Sequence, residues 1–564
     1  MTGPRQPKHL YVMALLLLAG VVWSVLGLRW DLSAIESGEA IARSWARFVE
    51  FLTAFGAPDL SAETVATAGW LMLDTLCVAL LGVTLGLVLA YPIAIGACRA
   101  VVLGDDLHPA PWSWLRRVWL EANRFLLDVL RGVPDFAWAL VLANFTGIGT
   151  PTGVIAIGIS VAGILGKVLS EQWDNVDPLR YTALRSTGAR PLQTFLYGIQ
   201  PLSARAMLSF VLMRTECAIR NASVIGVIAG GGIGSGLWDA FKDSRYDVVV
   251  TLLGAMLLLT ASADLTANLL RYQLRVDPNH PRGRSGQSCR SSTTQRAFGV
   301  LFCLLLVAGA ASMLRPAFAN LLLELQRIEG DFAFGYLRRL LLSPDPGAAG
   351  AAVRESFVPL ATALLTTLAA TTLAGVLVYP ASVAFQLQTQ NFTGERPSPA
   401  RLTLRWFAVI ATRGFGLLCR GVPEVAWVLI LGAFFRQGLL AGVLAVSVHS
   451  AGVLLRVFAE TIDNVPYRRL EQVTGACRPQ IFLYGALPSA WMDWKTYAIF
   501  QFEVNMRMGI VLGMVGAGGL GEAFDGNLRF GPLERACAFL WAMVALTVLT
   551  DRVSRWLQVR RLKC

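Results

Sequence analysis

Arg131-Gly-Val-Pro-Asp-Phe-Ala-Trp138 returns as Arg420-Gly-Val-Pro-Glu-Val-Ala-Trp427, and this recurrence decides how the rest of the chain reads. Asp174-Asn-Val176 returns as Asp463-Asn-Val465. Phe195-Leu-Tyr-Gly198 returns as Phe482-Leu-Tyr-Gly485, each copy followed three residues on by a proline, Pro201 or Pro488. Glu216-x-x-x-Arg220 and Gly231-Gly-Ile-Gly234 return as Glu503-x-x-x-Arg507 and Gly518-Gly-Leu-Gly521. The offset is 289 residues through Val176 and 287 from Gly188 onward, a single two-residue slip. Collinear matches of this kind mark an internal duplication. The chain therefore reads as two homologous halves, 1–275 and 298–564, joined by a linker at 276–297. That linker (Asp277-Pro-Asn-His-Pro-Arg-Gly-Arg-Ser285) lacks the apolar residues needed to bury a core.

Outside the linker the chain is made for lipid. Of its 564 residues 55% are hydrophobic and 15% charged, against roughly a quarter charged in soluble domains. The apolar residues fall in runs that reach or approach the ~20 residues a helix needs to cross hydrocarbon. Six spans per half fit, at about 10–28, 68–98, 122–143, 151–169, 203–227 and 248–270, then 298–314, 358–385, 405–433, 437–458, 490–515 and 534–551. The first run follows Arg5 and Lys8 as a signal peptide would. It continues through Leu28 without a small-residue cleavage site, so it reads as a retained span.

The net charge of +12 does not point to nucleic acid, because the basic residues gather at segment ends. From Arg271 to Arg296 there are six arginines against Asp277, and the tail carries Arg552, Arg555, Arg560, Arg561 and Lys563. The stretch after the first span instead holds Asp31, Glu36, Glu39, Glu50, Asp59 and Glu63. The excess of Lys and Arg places both termini and the linker in the cytoplasm. Each half then crosses an even number of times, and the two repeats are parallel rather than inverted.

Charged residues inside spans are the functional candidates, since each costs ~2.5–3.5 kcal/mol to insert. Glu216 and Arg220, like Glu503 and Arg507, are four apart and share a helix face. Two readings are open: an intrahelical pair that neutralises itself, or a glutamate that aims arginine's planar fork at an oxyanion in a central cavity. Arg131 and Arg420 stand beside the helix-breaking Val133-Pro134 and Val422-Pro423, where they either snorkel to the interface or face the pathway. The glycine runs at 229–236 and 516–521 allow close helix packing or a partly unwound bend.

Other patterns carry no chemistry. Gly516-x-Gly-x-x-Gly521 follows an apolar helix rather than a strand, so it is no dinucleotide fingerprint. Nine cysteines are scattered without a paired motif, and His449 sits alone in a span as a hydrogen-bonded packing residue. No nucleophile–base grouping and no metal set stands out, and no ATPase machinery is present.

On this topology the segments at 171–200 and 460–487 face the cytoplasm. The first contains Thr182-Ala-Leu-Arg-Ser-Thr-Gly188-Ala189 with Pro201 thirteen residues past the glycine; the second has Gly475-Ala476 and Pro488 at the same separation. This resembles the EAA loop of ABC importer permeases, and Arg131-Gly-Val-Pro-Asp135, the Thr182–Ala189 segment and Glu216-x-x-x-Arg220-x-x-Ser223-Val-x-Gly226 narrow the resemblance to the phosphonate type. About 200 residues of each half are covered, the first half matching better. The family's glutamate is Thr182 in the first half and Arg469 in the second, and only the first half keeps the next alanine, Ala183. The two contacts are accordingly expected to be asymmetric.

The resemblance implies an all-α polytopic protein of the type I ABC importer permease fold, with about twelve transmembrane helices in two parallel six-helix repeats. It implies coupling of Thr182, Ala183, Gly188, Ala189, Pro201, Gly475, Ala476 and Pro488 to two ATPase subunits, which would hold ATP and magnesium while this chain binds no cofactor. A periplasmic or lipid-anchored binding protein would deliver a phosphonate-like anion. Arg131, Glu216, Arg220, Arg420, Glu503 and Arg507 are the candidate lining of its pathway through a bacterial inner membrane. The rival readings are a secondary transporter with two six-helix halves, which needs no ATPase, and a membrane enzyme.

Overall fold

The computed structural model describes residues 8–104, 113–273, 293–387, 398–465 and 477–559, apart from residues 29, 32, 35, 230, 328–329 and 436–437. Every regular element among them is helical. Among the described residues nine helices are long and apolar enough to cross a membrane: Ala62–Ala97, Thr150–Asp174, Pro191–Val227, Tyr246–Leu270, Val300–Leu323, Pro346–Gln386, Pro399–Gly421, Leu439–Asp463 and Leu533–Trp556. All nine lie on expected spans. The expected first span is the Lys8–Gly27 helix, and the eleventh is Leu487–Leu512, which carries Asp493, Lys495, Glu503 and Arg507 along its length.

The third span of each half is not one helix. Residues 122–143 divide into an amphipathic helix, Ser113–Gly132, and an apolar one, Asp135–Thr146. Residues 405–433 likewise divide into Pro399–Gly421 and Glu424–Phe435. Proline has no N–H to continue the ladder, and it pushes the preceding residue toward extended backbone. Val422, just before Pro423, accordingly has φ −80° and ψ 123°, and Pro134 itself is non-helical at φ −58° and ψ 148°.

The chain forms two compact units, residues 54–339 and residues 1–53 with 340–564. Sequence repeats and compact units thus divide the chain differently: the opening helix of each half belongs to the unit built mainly from the other half. In the first unit Met313, from the second half's opening helix, places its sulfur 3.5 Å from Cys77 Sγ. In the second, Trp23 packs on Phe357 with ring centroids 4.0 Å apart, and Leu28 is buried among Ala361, Leu439 and Val443.

The Thr150–Asp174 helix is the core of the 54–339 unit. Small residues let it approach Ala62–Ala97 closely: a Cβ on Gly82 would lie 2.7 Å from Ile157, and one on Gly158 2.7 Å from Leu85. The Leu439–Asp463 helix is the corresponding core of the other unit.

Each glycine run does both things expected of it. Gly231 and Gly232 (φ +109° and +64°), and Gly518 and Gly519 (φ +84° and +79°), break the chain before the short Gly232–Lys242 and Leu520–Phe530 helices. Just beyond, Gly234 and Gly521 press on the preceding helix. A Cβ at either would meet the carbonyl oxygen of Ser223 or Ile510 at 1.9 Å.

Candidate functional site

In the first half the chain leaves the Thr150–Asp174 helix, turns through Pro178–Arg180 and the short Thr182–Ser186 helix, and bends at Gly188. It then re-enters through Pro191–Thr194 and a wide turn at Phe195–Ile199. Thr182 Oγ1 donates to the Pro178 carbonyl at 2.7 Å, so the residue in the family glutamate's place closes a local turn. Gly188 has φ +83°, and no atom lies within 4 Å of where its Cβ would be. The bend is an open, exposed apex; Thr182, Ala183 and Pro201 are also exposed and Ala189 half-buried. Arg185 spans the loop, its guanidinium 4.8 Å from the Tyr181 ring centroid and 3.4 Å from the Ala100 carbonyl. Burial pushes its pKa below the ordinary arginine value.

The repeated Phe-Leu-Tyr-Gly splits by function. Phe195 and Phe482 are buried, while Tyr197 and Tyr484 are 76% and 82% exposed beside exposed Leu196 and Leu483. Leu196-Tyr197 and Leu483-Tyr484 thus form an outward edge at the same register in both halves. Pro488 lies exposed at the start of its helix, next to this edge. Gly475 and Ala476 fall outside the described residues.

At the end of the Thr150–Asp174 and Leu439–Asp463 helices stands an acid–arginine latch. Asp174 Oδ2 pairs with Arg124 at 2.9 Å, while Oδ1 accepts the Arg99 and Ala100 amides at 2.8 and 3.3 Å. Arg124 Nε donates to the Ala97 carbonyl at 3.1 Å. In the second half Asp463 pairs with Arg413 at 2.8 Å and accepts from Ser382 Oγ at 2.6 Å and the Ala384 amide at 3.0 Å. Arg413 Nε donates to Ala381 at 2.8 Å. The Asp-Asn-Val repeat made the acids visible in the sequence, but not the arginines fifty residues upstream.

The helix break after Arg131 and after Arg420 is also anchored by an acid. Asp135 accepts from Ser160 Oγ and, at 2.7 Å, from Asn221 Nδ2, the neighbour of Arg220. In the second half Glu424 replaces Asp135, and its partner is His449, whose Nε2 lies 3.1 Å away while Nδ1 meets the Val422 carbonyl at 3.0 Å. His449 occupies the position of Ser160, so it is hydrogen-bonded as expected but not alone.

Glu216 and Arg220 form their pair at 3.6 Å, and Glu503 and Arg507 at 2.6 Å. The Arg131 side chain is 11% exposed and lies 3.5 Å from Asp128, which also holds Lys167 at 2.7 Å. Arg420 lines a recess with Arg413 and Arg456. A polar knot of Ser450, Gln501, Asn505 and Thr367, with bonds of 2.7–3.0 Å, occurs on the second-half framework. It was not singled out from the sequence, because none of its members is charged.

Residues 113–276 and 400–563 each match the family of binding-protein-dependent transport system inner membrane components. The phosphate-import permease PhnE of Mycolicibacterium smegmatis is 25% identical over 88% of this chain and 86% of its own length. The putative phosphite transport system permease HtxC of Stutzerimonas stutzeri is 31% identical over 45% of this chain and 84% of its own length. The putative cryptic phosphonate transport system permease PhnE2 of Escherichia coli is 31% identical over 21% of this chain and 97% of its own length. No solved structure matches the chain.

Proposed function

The chain belongs to the binding-protein-dependent transport system inner membrane component family, as a tandem pair of its modules, and from that premise we propose that it forms the whole membrane pathway of an ATP-driven importer for a phosphorus oxyanion. As a family member it is a multi-pass transport permease rather than an enzyme. The substrate class follows the relatives, which are named for phosphate, phosphite and phosphonate transport. A binding protein delivers the anion from outside, and two ATPase subunits on the cytoplasmic face hold ATP and magnesium and drive alternating access. Both termini and the linker lie in the cytoplasm.

The observation that carries the proposal is the duplicated outward edge: exposed Leu196-Tyr197 and Leu483-Tyr484 near the helix ends latched by Asp174 and Asp463. A permease that met no partner at these two places would have no need to turn the same two large side chains outward in both halves. A latch that ties the end of the fourth span to the amides after the second makes each edge rigid, so a push on it moves spans rather than a loop. Inside, Arg131, Arg220, Arg420 and Arg507 lower the cost of taking an anion out of water, with Glu216 and Glu503 limiting the field in the empty state. This favours the importer over a secondary transporter, for which the two edges have no use. Purified chain reconstituted in proteoliposomes with its ATPase subunits and binding protein should accumulate phosphate, phosphite or methylphosphonate only with internal ATP. Uptake driven by a proton or sodium gradient without ATP would refute the reading.

A further inference from the structure

Between the opening helix and the second span lies a helix that belongs to none of the expected spans, Gly38–Ala54. At ~25 Å it falls short of the ~30 Å of hydrocarbon a span must cross, and it carries Glu39, Arg43, Arg47 and Glu50. Its side chains sort into three faces. At about 100° per residue, Ile41, Trp45, Phe48, Val49 and Leu52 fall on one arc of ~100°. The four charged residues fall on another of ~80°, on the opposite side. Ala42, Ala46 and Thr53 mark the boundary between the two. Ser44 and Phe51 share the third face, and both are buried.

The buried face fixes how the helix lies. Beside it the Phe48 and Trp45 rings meet Phe434 edge-on, with centroids 5.7 and 6.4 Å away. The apolar arc continues outward from this contact: Ile41, Trp45, Val49 and Leu52 are 37–56% exposed. The charged residues are exposed as well. A helix with one open face apolar and the other charged suits a boundary between two media, not the interior of either. The preceding chain says which media these are. Residues 28–37 join this helix to Lys8–Gly27, whose Leu18, Val22 and Leu26 are exposed as lipid contact requires. At the end of that span Trp30 Nε1 donates to the Val25 carbonyl at 2.7 Å, and tryptophans at span ends sit at headgroup level.

We propose that Gly38–Ala54 lies in the plane of the bilayer surface, with Ile41, Trp45, Val49 and Leu52 among the acyl chains just below the headgroups and its charged face in water. The partner is the lipid surface itself. Two arginines are matched by two glutamates, so the apolar face, not attraction to anionic headgroups, holds the helix there. Through Phe434 this in-plane anchor sets the depth at which the short Glu424–Phe435 helix ends. The leaflet, the outer one, rests on the proposed topology; the in-plane placement does not rest on transport and is tested on the chain alone.

The test places 4-trifluoromethylphenylalanine at position 43, 45, 50 or 52, one at a time, in the full chain reconstituted in phosphatidylcholine nanodiscs. Fluorine relaxation is measured with a doxyl lipid labelled just below the headgroups, and separately with a water-soluble gadolinium chelate. Paramagnetic relaxation falls with the sixth power of distance, and opposite faces of a helix lie about 10 Å apart. The ratio of lipid to water enhancement should therefore be at least about tenfold higher at 45 and 52 than at 43 and 50. Equal ratios at all four positions would put the helix in water and overturn the proposal. Shielding of 45 and 52 from both agents would overturn it too, because the apolar face would then be covered by protein, a second copy of the chain included.

Discussion

Asp174 sits 2.9 Å from Arg124 and at the same time accepts the amides of Arg99 and Ala100, so one carboxylate is both an ion-pair partner and a cap. The two roles separate by substitution. Asp174→Asn keeps an oxygen for the amides and loses the charge; Asp174→Ala loses both. Because the Arg124 side chain is 40% exposed, the ion pair alone contributes at most about 1 kcal/mol. Orphaned amides cost about 1–3 kcal/mol more. Thermal unfolding in detergent should rank the natural chain above Asp174→Asn, and that above Asp174→Ala, with proteolysis within 178–190 following the same order. Equal melting for all three would show that the latch carries no stability.

The repeat made much of this readable, because each half is an internal control on the other. Hydropathy located the nine helices able to cross a membrane but not their neighbours, so the exchange of opening helices left no trace in the pattern. Val133-Pro134 and Val422-Pro423 were visible as breakers, yet the apolar run across them hid two separate helices. His449 looked solitary because its partner, Glu424, lies 25 residues earlier and meets it only through packing. The sequence did hold a clue: where the first half pairs Asp135 with Ser160, the second changes both positions together, to Glu424 and His449.

Gly188 tests the bend. Its φ of +83° is strained for any residue with a Cβ, by roughly 1–3 kcal/mol, although the surrounding space is open. Asparagine enters this region more readily than other side chains. Gly188→Asn should therefore retain most ATPase association in a pull-down, and Gly188→Val or Gly188→Asp should lose most of it, with all three inserted at normal levels. Gly475→Asp should act in the same direction through the second segment. Identical behaviour of Asn and Val at 188 would mean that backbone strain is not what the glycine avoids.

Glu216 and Arg220 form their pair within one helix, 3.6 Å apart, which leaves its purpose to experiment. Arg220→Gln strands a half-buried carboxylate, so loss of uptake in that variant alone is ambiguous. The double variant Glu216→Gln with Arg220→Gln removes both charges. If the pair serves the anion, the double variant should fold with near-normal melting yet transport at least about tenfold more slowly. Full recovery of uptake would assign the pair to structure.

Glu424 and His449 invite the corresponding stability experiment. His449→Ala leaves a largely buried carboxylate without its imidazole, and breaking such a pair costs about 3–5 kcal/mol. His449→Ala with Glu424→Gln should recover more than half of that loss, because the stranded charge is gone. Melting of the purified variants in detergent measures it. A double variant no more stable than His449→Ala would show that the histidine matters through its bond to the Val422 carbonyl instead.

The two exposed Leu-Tyr edges provide a test that does not touch the fold. Tyr197 and Tyr484 are 76% and 82% exposed, so truncation removes little buried area and should leave melting within about 0.5 kcal/mol of the natural chain. At an interface the same truncation removes an aromatic anchor, where losses of about 2 kcal/mol or more are usual. Tyr197→Ala and Tyr484→Ala should each weaken ATPase binding by at least about tenfold while insertion is unchanged. The second edge has its own interest, since Arg469 replaces the family's glutamate in that segment. If the second contact is the weaker one, Tyr484→Ala releases one ATPase subunit from the complex at a lower salt concentration than Tyr197→Ala does. Quantitative pull-down across a salt series separates the cases. Unaltered ATPase binding in both variants would remove the edges from the coupling surface and leave Gly188 to carry that reading alone.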